Sequence, residues 1–205
     1  MATLADPSDF ELLQAMRAGS EEAFTLLYRR RQAAVYRFAL QMSGSAATAE
    51  DVTQEVFLAL MRQAATYDPD KGSLSAYLYG VARHQVLRCL ERERPFVSLA
   101  EPETEGPTPE ALVAPADPLG DLTRNEMIDA VRGAVLALPP HYREVVVLCE
   151  LHELSYGEAA EVIGCAVGTV RSRLHRGRGL LVDKLRSNNK TNPSAGDVKL
   201  AGCFA

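Results

Sequence analysis

The stretch from Leu154 to Arg178 constrains the fold more than any other part of the chain. Ser155 followed three residues later by Glu158 is the capping-box start of a helix, and Gly164 suits the left-handed conformation that ends one. Beyond this turn, apolar residues recur at spacings of three, four and seven: Val167, Val170, Leu174, Leu181 and Leu185. Two helices joined by a glycine turn predict a helix-turn-helix.

The opposite face of the second helix carries hydroxyl and cationic side chains. At about 100° per residue, five side chains fall on or beside this face: Thr169, Ser172, Arg173, His175 and Arg176. A helix of this kind indicates insertion into the major groove of DNA. Arg171 and Arg178 lie nearer the apolar flank, which favours a phosphate contact or an intramolecular role. The alternative is a helical hairpin whose basic face is only solvated.

The overall charge of the chain points to a DNA-binding protein that needs a partner. The 205 residues carry a formal net charge of −5 at pH 7, with positive charge confined to short stretches. A stand-alone DNA binder usually has a basic domain, because phosphate neutralisation supplies much of its affinity. The composition therefore favours weak binding to DNA alone, with a partner that supplies the rest.

The compartment expected from the sequence is the cytoplasm. The chain has no run of about 18 apolar residues, so we expect no membrane span. Its first twenty residues show no secretory signal, and its four cysteines have no disulfide-framework spacing. We therefore expect a reduced, cytoplasmic setting.

The segment 8–94 predicts a first domain made only of helices. Capping residues or acidic first turns mark helix starts near Ser8, Ser20, Ala47 and Ser73, and no stretch shows the alternation of a strand. In the third helix, a stripe is predicted to be buried: Val52, Val56, Phe57, Leu60, Met61 and Ala64. Asp51, Gln54 and Glu55 lie off that stripe.

The rest of the chain predicts a linker, a second helical domain and a tail. Residues 95–121 contain six prolines and six acids without Lys or Arg, which indicates an extended, flexible segment. That segment is either a passive spacer or a negative chain that occupies a channel built for nucleic acid. Residues 122–186 form the second domain, and 187–205 are expected to be disordered. The fold class is thus all-α, two small helical domains joined by a flexible, acidic, Pro-rich linker.

The sequence carries no catalytic constellation. It has no Ser/His/Asp motif, phosphate-binding P-loop or HExxH motif. Cys149-x-x-His152, with Cys165 and His175 further on, offers ligand types for a metal but no paired finger spacing. We expect no enzyme activity, no metal and no cofactor.

Two blocks of sequence together resemble one family. Leu138–Leu148, Leu154–Ala160 and Gly168–Arg178 resemble the promoter-reading C-terminal domain of bacterial sigma factors of the extracytoplasmic-function group. Ala49–Leu58 and Tyr77–Arg83 resemble the N-terminal domain of the same group. A helix-turn-helix alone is shared by many regulators, but both blocks in this order make the resemblance specific.

The resemblance implies a dissociable, non-catalytic subunit of RNA polymerase that recognises and opens promoters. In the family, the helix that matches Glu50 to Met61 docks on the clamp helices of the polymerase β′ subunit, and the β subunit is also contacted. The matching residues here are Asp51, Gln54, Glu55 and Leu58. Exposed acids suit a basic partner surface. An anti-sigma factor is a further partner that the family implies.

The resemblance also assigns two sets of DNA-binding residues. For the −35 element they are Thr169, Arg171, Ser172, Arg173, His175 and Arg176. For the −10 element they are Asp68, Asp70, Lys71, Ser73, Tyr77, Arg83, His84 and Arg88. Tyr77 stands where the family has tryptophan and is expected to be mainly structural. His84 and Arg88 replace asparagine and aspartate, which alters the expected −10 preference and adds a cation near phosphate.

Two other classes of protein compete with the sigma factor. A stand-alone helix-turn-helix regulator would normally dimerise on a palindrome. A helical module that sequesters a partner would need no DNA. The N-terminal block argues against a simple regulator, because such a protein has no use for residues 50–58 and the loop 67–73.

Overall fold

The computed structural model describes residues 7–63, 67, 72–93 and 120–191, and within them every regular element is a helix. The first part contains α1 (Asp9–Arg17), α2 (Glu21–Ser43), α3 (Ala46–Gln63) and α4 (Leu74–Glu93). The second contains α5 (Gly120–Leu136), α6 (Pro140–Val146), a π-helical segment (Val147–Leu151), α7 (Tyr156–Ile163) and α8 (Val167–Thr191). The predicted all-α fold is confirmed.

The helix ends form where local chemistry predicts them. Ser155 and Glu158 make a full capping box, in which the Ser155 backbone N–H donates to the Glu158 carboxylate at 3.0 Å and the Glu158 N–H donates to Ser155 Oγ at 3.2 Å. Ser8 and Glu11 make the same motif before α1. Gly164 ends α7 in the left-handed conformation with φ 75°.

The core of the first domain lies around α2, which packs against α1, α3 and α4. Leu27, Val35 and Phe38 of α2 are completely or almost completely buried. In the stripe predicted for α3, Val52, Val56, Phe57 and Leu60 are buried, Ala64 lies outside the described residues, and Met61 is wrongly assigned, since 56% of it is exposed. The apolar stripe of α3 is therefore wider than the face that α2 and α4 cover.

The second domain is built on a close crossing of α6 and α8. A Cβ atom at Gly177 would lie 2.9 Å from Val146 Cγ2 and 3.6 Å from Tyr142 Cβ, so the glycine lets the two helices approach. Val170 and Leu174 of α8 are buried in the same core. The crossing thus fixes how α8 sits on α6.

The boundaries differ in detail from those the sequence predicts. Helix α5 begins at Gly120, inside the predicted linker, and the remainder of 95–121 lies outside the described residues. Helix α8 runs to Thr191, so residues 187–191 of the predicted disordered tail are helical. Residues 192–205 lie outside the described part of the chain.

The two domains are in direct contact, which nothing in the sequence predicted. Helix α4 packs against α7, and α2 packs against α5, α6 and the π-helical segment. Buried apolar residues from both domains belong to one continuous cluster. The helix-turn-helix therefore lies against the helix that follows the predicted −10 loop.

Two glycines of α8 provide a matched test of the crossing. Nothing lies within 4 Å of a Cβ added at Gly179, so Gly179→Ala should stabilise the protein by about 0.5–1 kcal/mol through helix propensity. Gly177→Ala should destabilise it by about 1–2 kcal/mol, because the new methyl overlaps Val146. Urea unfolding of the full chain measures both. Equal stabilisation by both substitutions would contradict the close crossing.

Candidate nucleic-acid interface

The N-terminal half of α8 presents most of the predicted −35 residues to solvent. Arg171, Ser172, His175 and Arg176 are exposed, and Thr169 and Arg173 are half-buried. The turn from Gly164 to Ala166 brings the start of α8 away from α7, and Ala166 O accepts the Thr169 N–H at 2.8 Å. The arrangement is that of a helix-turn-helix whose second helix has one free polar face.

Several cations of α8 have partners within the chain. The guanidinium of Arg171 lies 5.8 Å from the centroid of the Tyr156 ring. Arg178 Nε donates to Glu150 Oε1 at 3.0 Å. Both arginines thus have the intramolecular contacts expected for the apolar flank. Ser172 Oγ donates to the backbone oxygen of Thr169 at 3.0 Å, which leaves its lone pairs free to accept.

Arg173 is held by a buried carboxylate that sequence reasoning missed. Its Nη1 lies 3.3 Å from Glu144 Oε1, while Arg83 Nε of the first domain donates to Glu144 Oε2 at 2.8 Å. Only 3% of Glu144 is exposed. One carboxylate therefore binds an arginine of the predicted −35 set and an arginine of the predicted −10 set.

Of the predicted −10 residues that the structure describes, Ser73, Tyr77, His84 and Arg88 lie at the start and along one side of α4, and Arg83 points to Glu144 instead. Ser73 caps the helix, since its Oγ accepts the Ala76 N–H at 3.1 Å, and His84 and Arg88 are exposed. An open groove of about 620 Å³ runs beside them between α3, α4 and α7. Its lining includes Ser73, Tyr77 and His84. The other three predicted residues lie outside the described residues: Asp68, Asp70 and Lys71.

Tyr77 is fixed by its neighbours. Its hydroxyl donates to Gln63 Oε1 at 2.9 Å, and its ring meets the Tyr67 ring edge-on at 5.6 Å between centroids. Burial raises the pKa of Tyr77 above its ordinary value. These contacts hold the side chain in place, and the mainly structural role expected for Tyr77 stays a prediction.

Acidic side chains of α7 cover the beginning of α4. Ser73 Oγ donates to Glu158 Oε1 at 3.3 Å, and a Cβ at Gly72 would lie 2.9 Å from Glu161 Oε2. Hydrogen bonds from the Ser155 side chain and backbone, and then from Ser73, hold the pKa of Glu158 below its usual value. Carboxylates thus lie against the surface where the resemblance expects a DNA strand.

A second surface is formed by exposed side chains of α3. Asp51, Gln54, Glu55 and Leu58 recur at three- and four-residue spacings, and all four are exposed. Leu58 is 41% exposed, and Met61 continues the same face. We call these five residues the α3 face. It is polar at its N-terminal end and apolar at its C-terminal end.

His152 joins the two domains through its ring. Tyr79 Oη lies 2.9 Å from Nδ1, and Nε2 lies 2.8 Å from Gln41 Oε1. Burial and, to a smaller extent, the positive charge of Arg37 lower the pKa of His152 to about 4. Sequence reasoning treated His152 only as a possible metal ligand, because its partners are distant in the chain.

Cys149, the other residue of that spacing, is a partly buried thiol. Burial raises its pKa to about 11, with Glu150 adding to the effect. Within the described residues, no group of three or more His, Cys, Asp or Glu side chains is placed to hold a metal ion. None of the described helices combines the length and hydropathy needed to cross a membrane.

Comparison with known proteins gives the family. The Sigma-70 region 2 family model matches residues 27–95, and the Sigma-70 region 4 model matches residues 128–181. SigM of Mycobacterium tuberculosis, an extracytoplasmic-function sigma factor, is 32% identical over 175 residues, which cover 85% of this chain and 83% of the relative. The chain belongs to the extracytoplasmic-function sigma factors.

Other relatives of this sigma factor agree with that assignment. SigE of Mycolicibacterium smegmatis is 35% identical over 176 residues, which cover 82% of the chain but 64% of the relative, so this chain spans just under two thirds of that protein. In fold, the chain is similar to the sigma factor RpoE from Bartonella quintana, solved in complex with the anti-sigma factor NepR. The TM-score is 0.60 at 21% identity, over 80% of this chain and 96% of the other.

The position of His152 predicts how this sigma factor responds to acid. An unfolded histidine has a pKa near 6.5, whereas the buried ring has a pKa of about 4. Between these values only the unfolded state binds the proton, so stability falls as the pH drops from about 6.5 to 4, by up to about 3 kcal/mol. We expect His152→Gln to show a shallower fall in urea unfolding measured across this range.

The matched control is His175→Gln, which removes an exposed histidine of α8. It should keep the pH dependence of the unaltered chain. If the two variants had the same pH dependence, the contribution assigned to the buried ring would be wrong.

Proposed function

We propose that this sigma factor binds core RNA polymerase through the α3 face and reads promoters through two DNA surfaces. The face would dock on the clamp helices of the β′ subunit, with further contact to β. Its exposed acids suit a basic surface, and Leu58 and Met61 add apolar area beside them. The polymerase would then supply the affinity that an acidic chain lacks for DNA.

The −35 element would be read by the exposed face of α8. Arg176 and His175 are exposed there, and neither has an ion pair among the described contacts of α8. An arginine can bond bidentately to the O6 and N7 of guanine. Thr169, Ser172 and Arg173 would contact phosphates or base edges, and Arg171 would add a phosphate contact from its place over Tyr156.

The −10 element would be captured at the start of α4. The proposed contacts are Asp68, Asp70, Lys71, Ser73, Tyr77, Arg83, His84 and Arg88. A base that leaves the duplex needs a site with stacking and hydrogen-bonding groups, and the groove beside Ser73 and His84 offers both. Arg83 and Arg88 would hold the phosphates of the separated strand.

The observation that carries this proposal is the pairing of an exposed acidic and apolar face on α3 with a helix-turn-helix in one chain. The protein would act in the cytoplasm as a non-catalytic subunit. An anti-sigma factor is a further proposed partner, because the structural neighbour RpoE was solved with one. A transcription assay with core polymerase and a library of randomised promoters tests the function as a whole.

Arg176→Ala tests the −35 assignment. It should lower transcription from a promoter selected by the unaltered chain by about 5- to 150-fold, the equivalent of about 1–3 kcal/mol for a bidentate contact. Affinity for core polymerase should not change. Arg186→Ala, an exposed arginine near the end of the same helix, is the control and should keep full activity. Equal loss of promoter use and core binding by Arg176→Ala would remove it from the −35 surface.

The double substitution Asp51→Lys/Glu55→Lys tests the α3 face. Reversing two charges against a basic surface should weaken core binding by at least about tenfold, since like charges at an interface cost several kcal/mol. Fluorescence titration of labelled chain with core polymerase measures the change. The control Glu22→Lys/Glu91→Lys alters the net charge equally, at exposed positions on α2 and α4. Similar affinities for both double variants would show that the effect is not local to α3.

A further inference from the structure

Glu144 occupies an unusual place for a carboxylate in this sigma factor. It is buried, and its two oxygens bind guanidinium groups from different domains, Arg83 of α4 and Arg173 of α8. Charge-assisted hydrogen bonds of this kind are about twice as strong as neutral ones. The bond to Arg173 lies within the second domain, whereas the bond to Arg83 crosses between domains.

The contact between the two domains also includes uncharged side chains. His152 lies between Tyr79 of α4 and Gln41 of α2, with both ring nitrogens hydrogen-bonded. The ring also packs edge-on against Phe38, with 5.8 Å between centroids. These contacts, like the Glu144–Arg83 pair, exist only while the domains are together.

At the start of α4, the side chains that the second domain places against the first domain are acidic. Glu158 accepts a hydrogen bond from Ser73, and a Cβ added at Gly72 would lie 2.9 Å from Glu161 Oε2. Glu144 on Arg83 and Glu158 on Ser73 thus place two carboxylates of the second domain against groups of the first domain that suit phosphate, and Glu161 lies beside Gly72. A DNA strand could not occupy these positions until the carboxylates leave.

We propose that Glu144 is an interdomain latch that keeps the free chain closed and withholds Arg83 from DNA. The α3 face stays exposed in the closed arrangement, so polymerase can bind before DNA does. Opening then releases Arg83 from Glu144, whereas Arg173 keeps its bond to Glu144 inside the second domain. The identity of these arginines as DNA contacts rests on the proposed function, whereas the closure itself rests only on the domain contacts.

The test compares three variants of the full chain without polymerase. Glu144→Gln removes the charge that holds both arginines. Tyr79→Phe removes the hydroxyl that meets His152 but keeps the ring that packs on Phe38, so it tests closure without any change of charge. Glu150→Gln is the matched control, because it removes one carboxylate that pairs with Arg178 inside a single domain.

Two measurements report opening: the radius of gyration from small-angle X-ray scattering, and the affinity for fluorescein-labelled oligo(dT), a probe of single-strand phosphate contact. We expect Glu144→Gln to increase the radius and to tighten oligo(dT) binding roughly tenfold, the scale of one charged hydrogen bond. Tyr79→Phe should change both in the same direction but less. Glu150→Gln should leave the radius unchanged.

Two results would overturn the latch. One is a radius in Glu144→Gln and Tyr79→Phe equal to that of the unaltered chain. The other is an equal gain in oligo(dT) affinity in Glu144→Gln and Glu150→Gln, since the gain would then reflect net charge alone. Transcription assays judge the proposed function separately: normal promoter use without opening defeats only the latch, and opening without promoter use defeats only the proposed function.

Discussion

The buried guanidinium of Arg143 joins the parts of this fold. It donates to the carbonyl of Met42 at the end of α2 at 2.6 Å, and to those of Leu136 and Leu138 where α5 ends. Carbonyls at a helix C-terminus lack partners in their own helix and carry partial negative charge, so one cation satisfies two helix ends. Burial lowers the pKa of Arg143 from its usual value, but an arginine remains protonated at neutral pH.

The next residue, Glu144, connects α6 to two other helices, α4 and α8. Successive residues of a helix point about 100° apart, so α6 directs Arg143 towards α2 and α5 and Glu144 towards α4 and α8. Removing one partner of such a buried pair costs about 3–5 kcal/mol, because the remaining charge is left uncompensated. Two adjacent charges on α6 therefore hold both α8 within the second domain and the second domain on the first.

Local sequence rules were enough to predict the helices but not the contacts that Glu144 makes with Arg83 and Arg173. Ser155 and Glu158 cap α7 through bonds that span three residues, so their sequence spacing carries the information. Glu144 finds its partners 61 and 29 positions away, and no local pattern encodes such distances. The available signal was a charged residue beside the apolar run 145–148. The predicted burial of Met61 was wrong for a related reason. Helical periodicity identifies an apolar stripe but does not show how much of that stripe a neighbouring helix covers.

The closed arrangement also bears on how bases would be chosen under the proposed function. Glu161 and Val162 of α7 form one wall of the groove. Separation of the domains would therefore remove this wall. Tyr77 cannot turn into the space without losing its bond to Gln63 and its ring contact. Selection would then fall to the exposed His84, with Arg88 one turn further on holding phosphate. Because the resemblance marks His84 and Arg88 as departures from the family, the proposed function implies a −10 preference particular to this chain.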